Sequence, residues 1–235
     1  MNTERLIRGA AAFGLDLTEH QAGQFAQYYE LLVEWNEKIN LTAITDEEEV
    51  IDKHFLDSLA GVKACIVPDD ARILDVGTGA GFPGMALAIA FPQAQFCLMD
   101  ATGKKVRFLE TVASALGLTN VQAIQGRAEE LAHDPVFRAQ FDLVTSRAVA
   151  ALPVLLEYLS GFVKMNGRIA AYKGPTFNEE FAAAAGAMKT LGLALEKTEL
   201  VSIGDQQHTI AVFTKKKALA DRYPRPQAQI RKKPL

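Results

Sequence analysis

The chain has 235 residues, 49% of them hydrophobic, a formal net charge of −3 and two cysteines. This suits one large domain, or a domain with an extension, with enough apolar material for a sizeable core. It excludes a membrane span, since no apolar run approaches the roughly 20 residues required, and a disulfide framework, since Cys65 and Cys97 are too few and form no CxxC; both read as reduced, structural thiols of a cytoplasmic protein.

The opening Met1-Asn2-Thr3-Glu4-Arg5 has no signal-peptide layout, and a short helix is predicted over 3–13. Thr18 suits an N-cap. Phe25, Tyr28, Tyr29, Leu32 and Trp35 then recur at three- and four-residue spacings, which predicts an amphipathic helix over 19–38. Asn40-Leu41-Thr42 breaks that period. A third helix is predicted over 46–61, with Asp46-Glu47-Glu48-Glu49 at its positive dipole end. Residues 1–66 therefore read as a helical extension packed on the domain that begins at 67. Val67-Pro68-Asp69-Asp70 is too short a junction to be a flexible linker.

The stretch Arg72 to Gly84 organises the rest. Arg72-Ile73-Leu74-Asp75-Val76 is short, branched and apolar, as a buried parallel strand should be. Gly77, Gly79, Gly81 and Gly84 come next, and Pro83 stands where a helix can begin. Strand, glycine turn and helix place free backbone N–H groups at the C-terminal edge of a sheet. Two cofactors fit. Gly79-x-Gly81-x-x-Gly84, with Asp100 about 20 residues on, matches the dinucleotide fingerprint. Asp75-x-Gly77-x-Gly79-x-Gly81 matches the acid-then-glycine pattern of S-adenosylmethionine (SAM) methyltransferases. Asp75 favours the second, because a carboxylate repels a pyrophosphate but suits an ammonium and a sulfonium.

From Arg72 strands and helices alternate. Strands are predicted over 72–76, 95–99, 121–124, 141–145 and 167–172, with helices over 83–90, 103–116, 128–132, 152–162 and 176–190. This alternation predicts a doubly wound parallel sheet. The end differs: 195–203 and 209–214 are both strand-like around Gly204-Asp205-Gln206-Gln207-His208, which predicts an antiparallel hairpin. The expected fold is α/β: a Rossmann-like class I SAM-dependent methyltransferase fold with a seven-stranded, mostly parallel sheet, over 67–215. Residues 216–235 form a basic tail, and 215–235 hold eight Lys/Arg against one Asp. A basic tail on an acidic body points to a polyanionic partner.

Ligands of such sheets sit outside the C-terminal strand ends. There the first strand presents Asp75, Gly77 and Gly79, and the second Asp100, a carboxylate able to accept from two ribose hydroxyls. The third presents Gly126-Arg127-Ala128-Glu129, placed to meet an adenine edge. The fourth ends in Ser146-Arg147-Ala148, without the Asn/Asp-Pro-Pro-aromatic motif that orients exocyclic amines. Arg147 could clamp the cofactor carboxylate, take a base edge or phosphate, or sit in a structural ion pair. Lys173 is a second cation on that rim. His54 and Asp57 share a helix face. No metal-ligand spacing, G-x-S-x-G elbow or P-loop lysine is present.

Trp35-Asn36, Asn40-Leu41-Thr42, Lys53-His54-Phe55-Leu56-Asp57-Ser58-Leu59, the run from Asp75 to Gly84, Asp100 with Lys104-Lys105-Val106-Arg107-Phe108-Leu109, Arg127-Ala128-Glu129-Glu130, Ser146-Arg147-Ala148 and Lys173-Gly174 occur in one order. On these residues the chain resembles the bacterial RsmG (GidB) family, guanine-N7 methyltransferases of 16S ribosomal RNA. The resemblance implies Gly77, Phe82, Ala128, Glu129 and Arg147 as cofactor contacts, with Asp100, Ala101 and Thr102 near the ribose. It implies 16S RNA, within the small ribosomal subunit, as the substrate; the expected state is a monomer, and Arg147 and Lys173 on the rim are expected to position the substrate. Tyr223-Pro224-Arg225 and Lys233-Pro234-Leu235 keep the family's tail pattern, whereas Gln227, Ala228 and Ile230 depart from it. The rival readings are a SAM- or nucleotide-binding regulator without turnover and an NAD-dependent oxidoreductase.

Overall fold

The computed structural model describes residues 1–65, 67–203 and 206–235. Seven strands form one sheet: β1 (Arg72–Val76), β2 (Gln95–Asp100), β3 (Val121–Gln125), β4 (Phe141–Arg147), β5 (Val163–Lys173), β6 (Leu193–Ile203) and β7 (Gln206–Lys215). Their order is β3-β2-β1-β4-β5-β7-β6. β1 to β5 run parallel, and β7 is antiparallel to both neighbours. The expected hairpin is therefore present; of its expected turn, Gly204 and Asp205 lie outside the described residues. β1 lies between β2 and β4, so the chain winds away from it in both directions. Its C-terminal end is the switch point at which open α/β sheets bind ligands.

Side chains alternate across a strand, and two cores result. Ile73, Phe96 and Leu98 join the first. Leu74, Val76, Cys97 and Met99 join the second. The helices Thr3–Ala11 and Glu19–Asn36 pack into the first core. Thr18 caps the longer one in a capping box with Gln21. Phe25 and Phe55 meet at 5.0 Å, and Tyr28 stacks on Phe82 of the glycine turn at 5.5 Å.

The helix expected over 46–61 is not uniform. It is α over Glu47–Val50, π over Ile51–Leu56, α over Asp57–Leu59 and 3-10 over Ala60–Lys63. Successive residues of an α-helix point about 100° apart. Across the π segment His54 and Phe55 both pack on the Phe82 ring, at 4.6 and 5.9 Å. Such π segments often mark functional sites.

After β7 the chain folds against the helix Leu152–Ser160. Lys215, at the end of β7, donates to the carbonyl of Ser160, the last residue of that helix, and to that of Val163, and burial lowers its pKa to about 8. Arg225 grips the fully buried Glu157 through its backbone N–H and guanidinium at 2.7–2.9 Å. Tyr223 and Ile230 are buried, and a short helix forms over Gln227–Lys232. Part of the basic charge of this segment thus serves packing.

Candidate functional site

The glycine turn is fixed from below by carboxylates. Gly77 has φ +69°, and a Cβ there would lie 2.5 Å from Val149 Cγ2. Its N–H and that of Thr78 donate to Met99 O, tying the turn to β2. Asp75 Oδ2 accepts from Gly84 N–H at 2.9 Å, and Oδ1 accepts from the Thr145 hydroxyl at 3.0 Å. Gly84 has no room for a side chain, since a Cβ would lie 2.3 Å from Leu98 Cδ2. Complete burial raises the Asp75 pKa to about 6, against hydrogen bonds and the Arg147 charge that pull it down. The acid-then-glycine pattern predicts Asp75 beside a ligand's positive charge. The structure instead turns its carboxylate inward, where it staples strand to helix.

On the β2–β3 side, a cavity of about 170 Å³ opens beside the turn. Gly77, Asp100, Ala101, Ala128 and Glu129, all expected at the site, line it together. Asp100 Oδ2 accepts from Gly79 N–H at 3.0 Å and Oδ1 from Thr102 N–H at 2.8 Å. Each carboxylate oxygen retains a second lone pair for a ligand hydroxyl. Val149, Val154 and Tyr158 supply the apolar wall, and Gln227 and Arg231 add to the lining. Tyr158 is 6% exposed, and among the described residues its hydroxyl has no hydrogen-bond partner. Leaving such a group unmet costs about 1–3 kcal/mol. The residues therefore fit a nucleoside: a paired-hydroxyl acceptor, an apolar slot and an unmet polar group.

The β4 side is filled by protein. Arg147 Nη1 donates to Asp57 Oδ2 at 2.6 Å and to Lys53 O at 3.2 Å, and the guanidinium lies 5.1 Å from the Phe82 centroid. Asp57 also meets His208 Nδ1 at 3.0 Å. Phe82 is buried between His54, Tyr28 and Arg147, so its ring is a platform for the cation rather than part of the cavity wall. His54 Nε2 meets Thr42 Oγ1 at 2.8 Å. Burial, then the Arg147 charge, lowers the His54 pKa to about 4. The Tyr28 hydroxyl donates to Ala80 O inside the turn.

Lys173 departs from expectation. Its ammonium is buried, paired with Glu180 at 2.6 Å and bonded to Ala150 O at 2.8 Å. It shapes the loop that carries Val149 instead of standing free on the rim. Tyr158, Gln227, Arg231 and His208 carry no local signal in the sequence. Tyr158 sits in a helix of otherwise ordinary apolar pattern, and the tail residues reach the site only through long-range packing. Another cavity, about 330 Å³, is lined by Arg72, Gln95, Val121 and Phe141, the first residues of four strands. That is the edge opposite the switch point. Among the described residues no cluster of His, Cys, Asp or Glu could hold a metal ion, and no helix is long and apolar enough to cross a membrane.

Known proteins resemble this chain in sequence and in fold. The GidB family profile, described as rRNA small subunit methyltransferase G, matches residues 21–210. A protein of Thermoanaerobacter sp. (strain X514) named Ribosomal RNA small subunit methyltransferase G is 42% identical over 236 residues, which cover 100% of this chain and 98% of that one. Its namesake in Streptococcus agalactiae serotype III (strain NEM316) is 44% identical over 225 residues, 94% of each chain. Among solved structures, the YcgJ protein of Bacillus subtilis aligns with a TM-score of 0.56 at 17% identity, covering 70% of this chain and 100% of that one. A SAM dependent methyltransferase from Aquifex aeolicus aligns with a TM-score of 0.54 at 18% identity, covering 77% and 97%. At such identities the structures speak for the fold alone, the class I SAM-dependent methyltransferase fold.

Proposed function

The chain belongs to the GidB family of small-subunit ribosomal RNA methyltransferases, and from that membership we propose that it transfers the methyl group of SAM to N7 of a guanine in 16S ribosomal RNA. The observation that carries the reading is the cavity at the switch point, which gathers Gly77, Asp100, Ala101, Ala128 and Glu129 around one nucleoside-sized slot. When bound, the cofactor supplies an electrophilic methyl group on a sulfonium that leaves as a neutral thioether.

The chain's own residues do the positioning. Asp100 accepts the ribose hydroxyls, Ala101 and Thr102 flank them, and Ala128 and Glu129 meet the adenine edge. Gly77 and Gly79 let the ligand approach the backbone. Arg147 spends Nη1 on Asp57 and Lys53 O. Among the described residues this leaves Nε and Nη2 to hold the methionine carboxylate, a charge-assisted contact. Asp75 and Phe82 act one layer back, on the turn and on Arg147. Lys173 positions the Val149 loop through Glu180.

Guanine N7 offers a lone pair and carries no proton, so transfer needs no general base. Catalysis then rests on holding N7 and the methyl group roughly 3–3.5 Å apart in a water-poor site. With Arg147 and Lys173 paired, exposed Lys104 and Arg107 are cations placed to meet RNA phosphates. The protein acts in the cytoplasm, as a monomer, on 16S RNA within the small ribosomal subunit. Mapping N7-methylguanosine by borohydride–aniline cleavage of 16S RNA tests this. One cleavage site should vanish in cells lacking the protein and return on complementation; an unchanged pattern contradicts the assignment.

A further inference from the structure

We infer that the segment after β7 is part of the cofactor site: its Gln227 and Arg231, with Tyr158 of the helix Leu152–Ser160, close the adenosine half of the SAM pocket, and the Arg225–Glu157 clamp holds them together. This rests on the function proposed above and adds residues that the glycine motif and strand ends do not supply.

Three observations carry it. The first is the unmet hydroxyl. Tyr158 lines the same cavity as Asp100, Ala128 and Glu129, is 6% exposed, and has no partner for its Oη among the described residues. Its neighbour Glu157 takes three hydrogen bonds from Arg225, whereas the Tyr158 hydroxyl, one residue on and against the cavity, takes none among the described residues.

The second is the construction of the far wall. Gln227 and Arg231 are four apart in the helix Gln227–Lys232, so they share a face, and both line the cavity. Gln227 Oε1 accepts from Arg127 Nη1 at 3.3 Å, which joins the segment to the loop that ends β3.

The third is anchoring. His133 Nε2 bonds Pro224 O at 2.8 Å, and Arg138 Nη1 donates to Tyr223 O at 2.9 Å. Tyr223 and Ile230 are buried. A wall fixed this firmly is preorganised, which favours binding by lowering the ordering cost.

The cavity volume assigns the ligand half. About 170 Å³ is below the roughly 300–1,000 Å³ of pockets that hold whole drug-sized ligands. Arg147 and Phe82 are not among its lining residues, so the methionine half lies outside it. A phenolic hydroxyl and a carboxamide can each donate to or accept from the ring nitrogens and exocyclic amine of adenine.

The test is calorimetric titration of the full chain with S-adenosylhomocysteine. Tyr158→Phe and Gln227→Ala should each weaken binding by about three- to tenfold, the loss of one neutral hydrogen bond, and Arg231→Ala should also weaken it. Tyr158→Phe should not lower the thermal midpoint of the free protein, because the hydroxyl has no partner to lose; a merely structural tyrosine would lower it. Amide exchange over 227–232 should slow when the ligand binds. If all three variants bind like the parent and exchange there is unchanged, while Asp100→Ala binds weakly, the inference is wrong and the proposed function stands. If Asp100→Ala also binds like the parent, the site itself is misplaced and both fall.

Discussion

On one side of the glycine turn, Arg147 is held by Asp57 at 2.6 Å and rests on Phe82. On the other, Tyr158 has no partner among the described residues, and Asp100 keeps lone pairs toward a cavity. The first flank comes largely from the helical section before β1, the second from strand ends and the segment after β7. They differ in what binding must do. An ion-paired cluster is held in place before the ligand arrives and can aim the remaining N–H groups of its arginine. An apolar slot with unmet polar groups gains hydrogen bonds from the ligand and supplies affinity. We assign the methionine half of SAM to the first flank and the adenosine half to the second.

The largest effect should come from filling the seam between the flanks. Gly77→Leu needs φ +69° from a branched residue and collides with Val149. S-adenosylhomocysteine binding should become undetectable by calorimetry, and retention of parental affinity would break the division. Asp100→Ala comes next. Losing charged hydrogen bonds costs about 1–3 kcal/mol, or about 5- to 150-fold in affinity.

Arg147→Ala should act differently. It should lower methyl transfer by at least about tenfold while costing less affinity than Asp100→Ala, because misaligned reactants lose rate steeply. The change also strands Asp57, so Asp57→Asn on top of it should recover thermal stability without recovering activity. Recovery of both would make Arg147 a structural residue.

How far these flanks are legible in sequence depends on the range of their contacts. The glycine turn, Asp100 and Ala128-Glu129 lie at strand ends, and strand ends are readable from local pattern. The β6–β7 hairpin is legible for the same reason. The π segment over Ile51–Leu56 is not, because a helix's hydrogen-bond register leaves no mark on its polarity pattern. Nor is the inward turn of Asp75, which depends on Thr145 across the sheet. Lys173 reads as a rim cation because its partner Glu180 comes from the next helix. The tail reads as loose basic charge because Glu157, its anchor, sits 68 residues from Arg225.

The smallest expected effect is on pH dependence, and it sharpens the contrast between layers. Burial raises Asp75 from 3.8 to about 6, so its contribution to stability is full below pH 3.8 and is lost as pH rises through about 6. Burial lowers His54 from 6.5 to about 4, so its contribution is full above pH 6.5 and is lost as pH falls through about 4. The two slopes oppose each other between about pH 4 and 6. Asp75→Asn should leave stability falling as pH drops across that window, and His54→Gln should leave it rising. Denaturant melts at about pH 4, 5 and 6 would read both signs, and flat profiles in both variants would remove the buried-charge argument.

The division of the site is tested most directly by a crystal structure with S-adenosylhomocysteine bound. The adenine should lie between Ala128-Glu129 and Tyr158, the ribose hydroxyls on Asp100, and the homocysteine carboxylate on Arg147. An adenine outside that cavity, or a carboxylate directed away from Arg147, would contradict it.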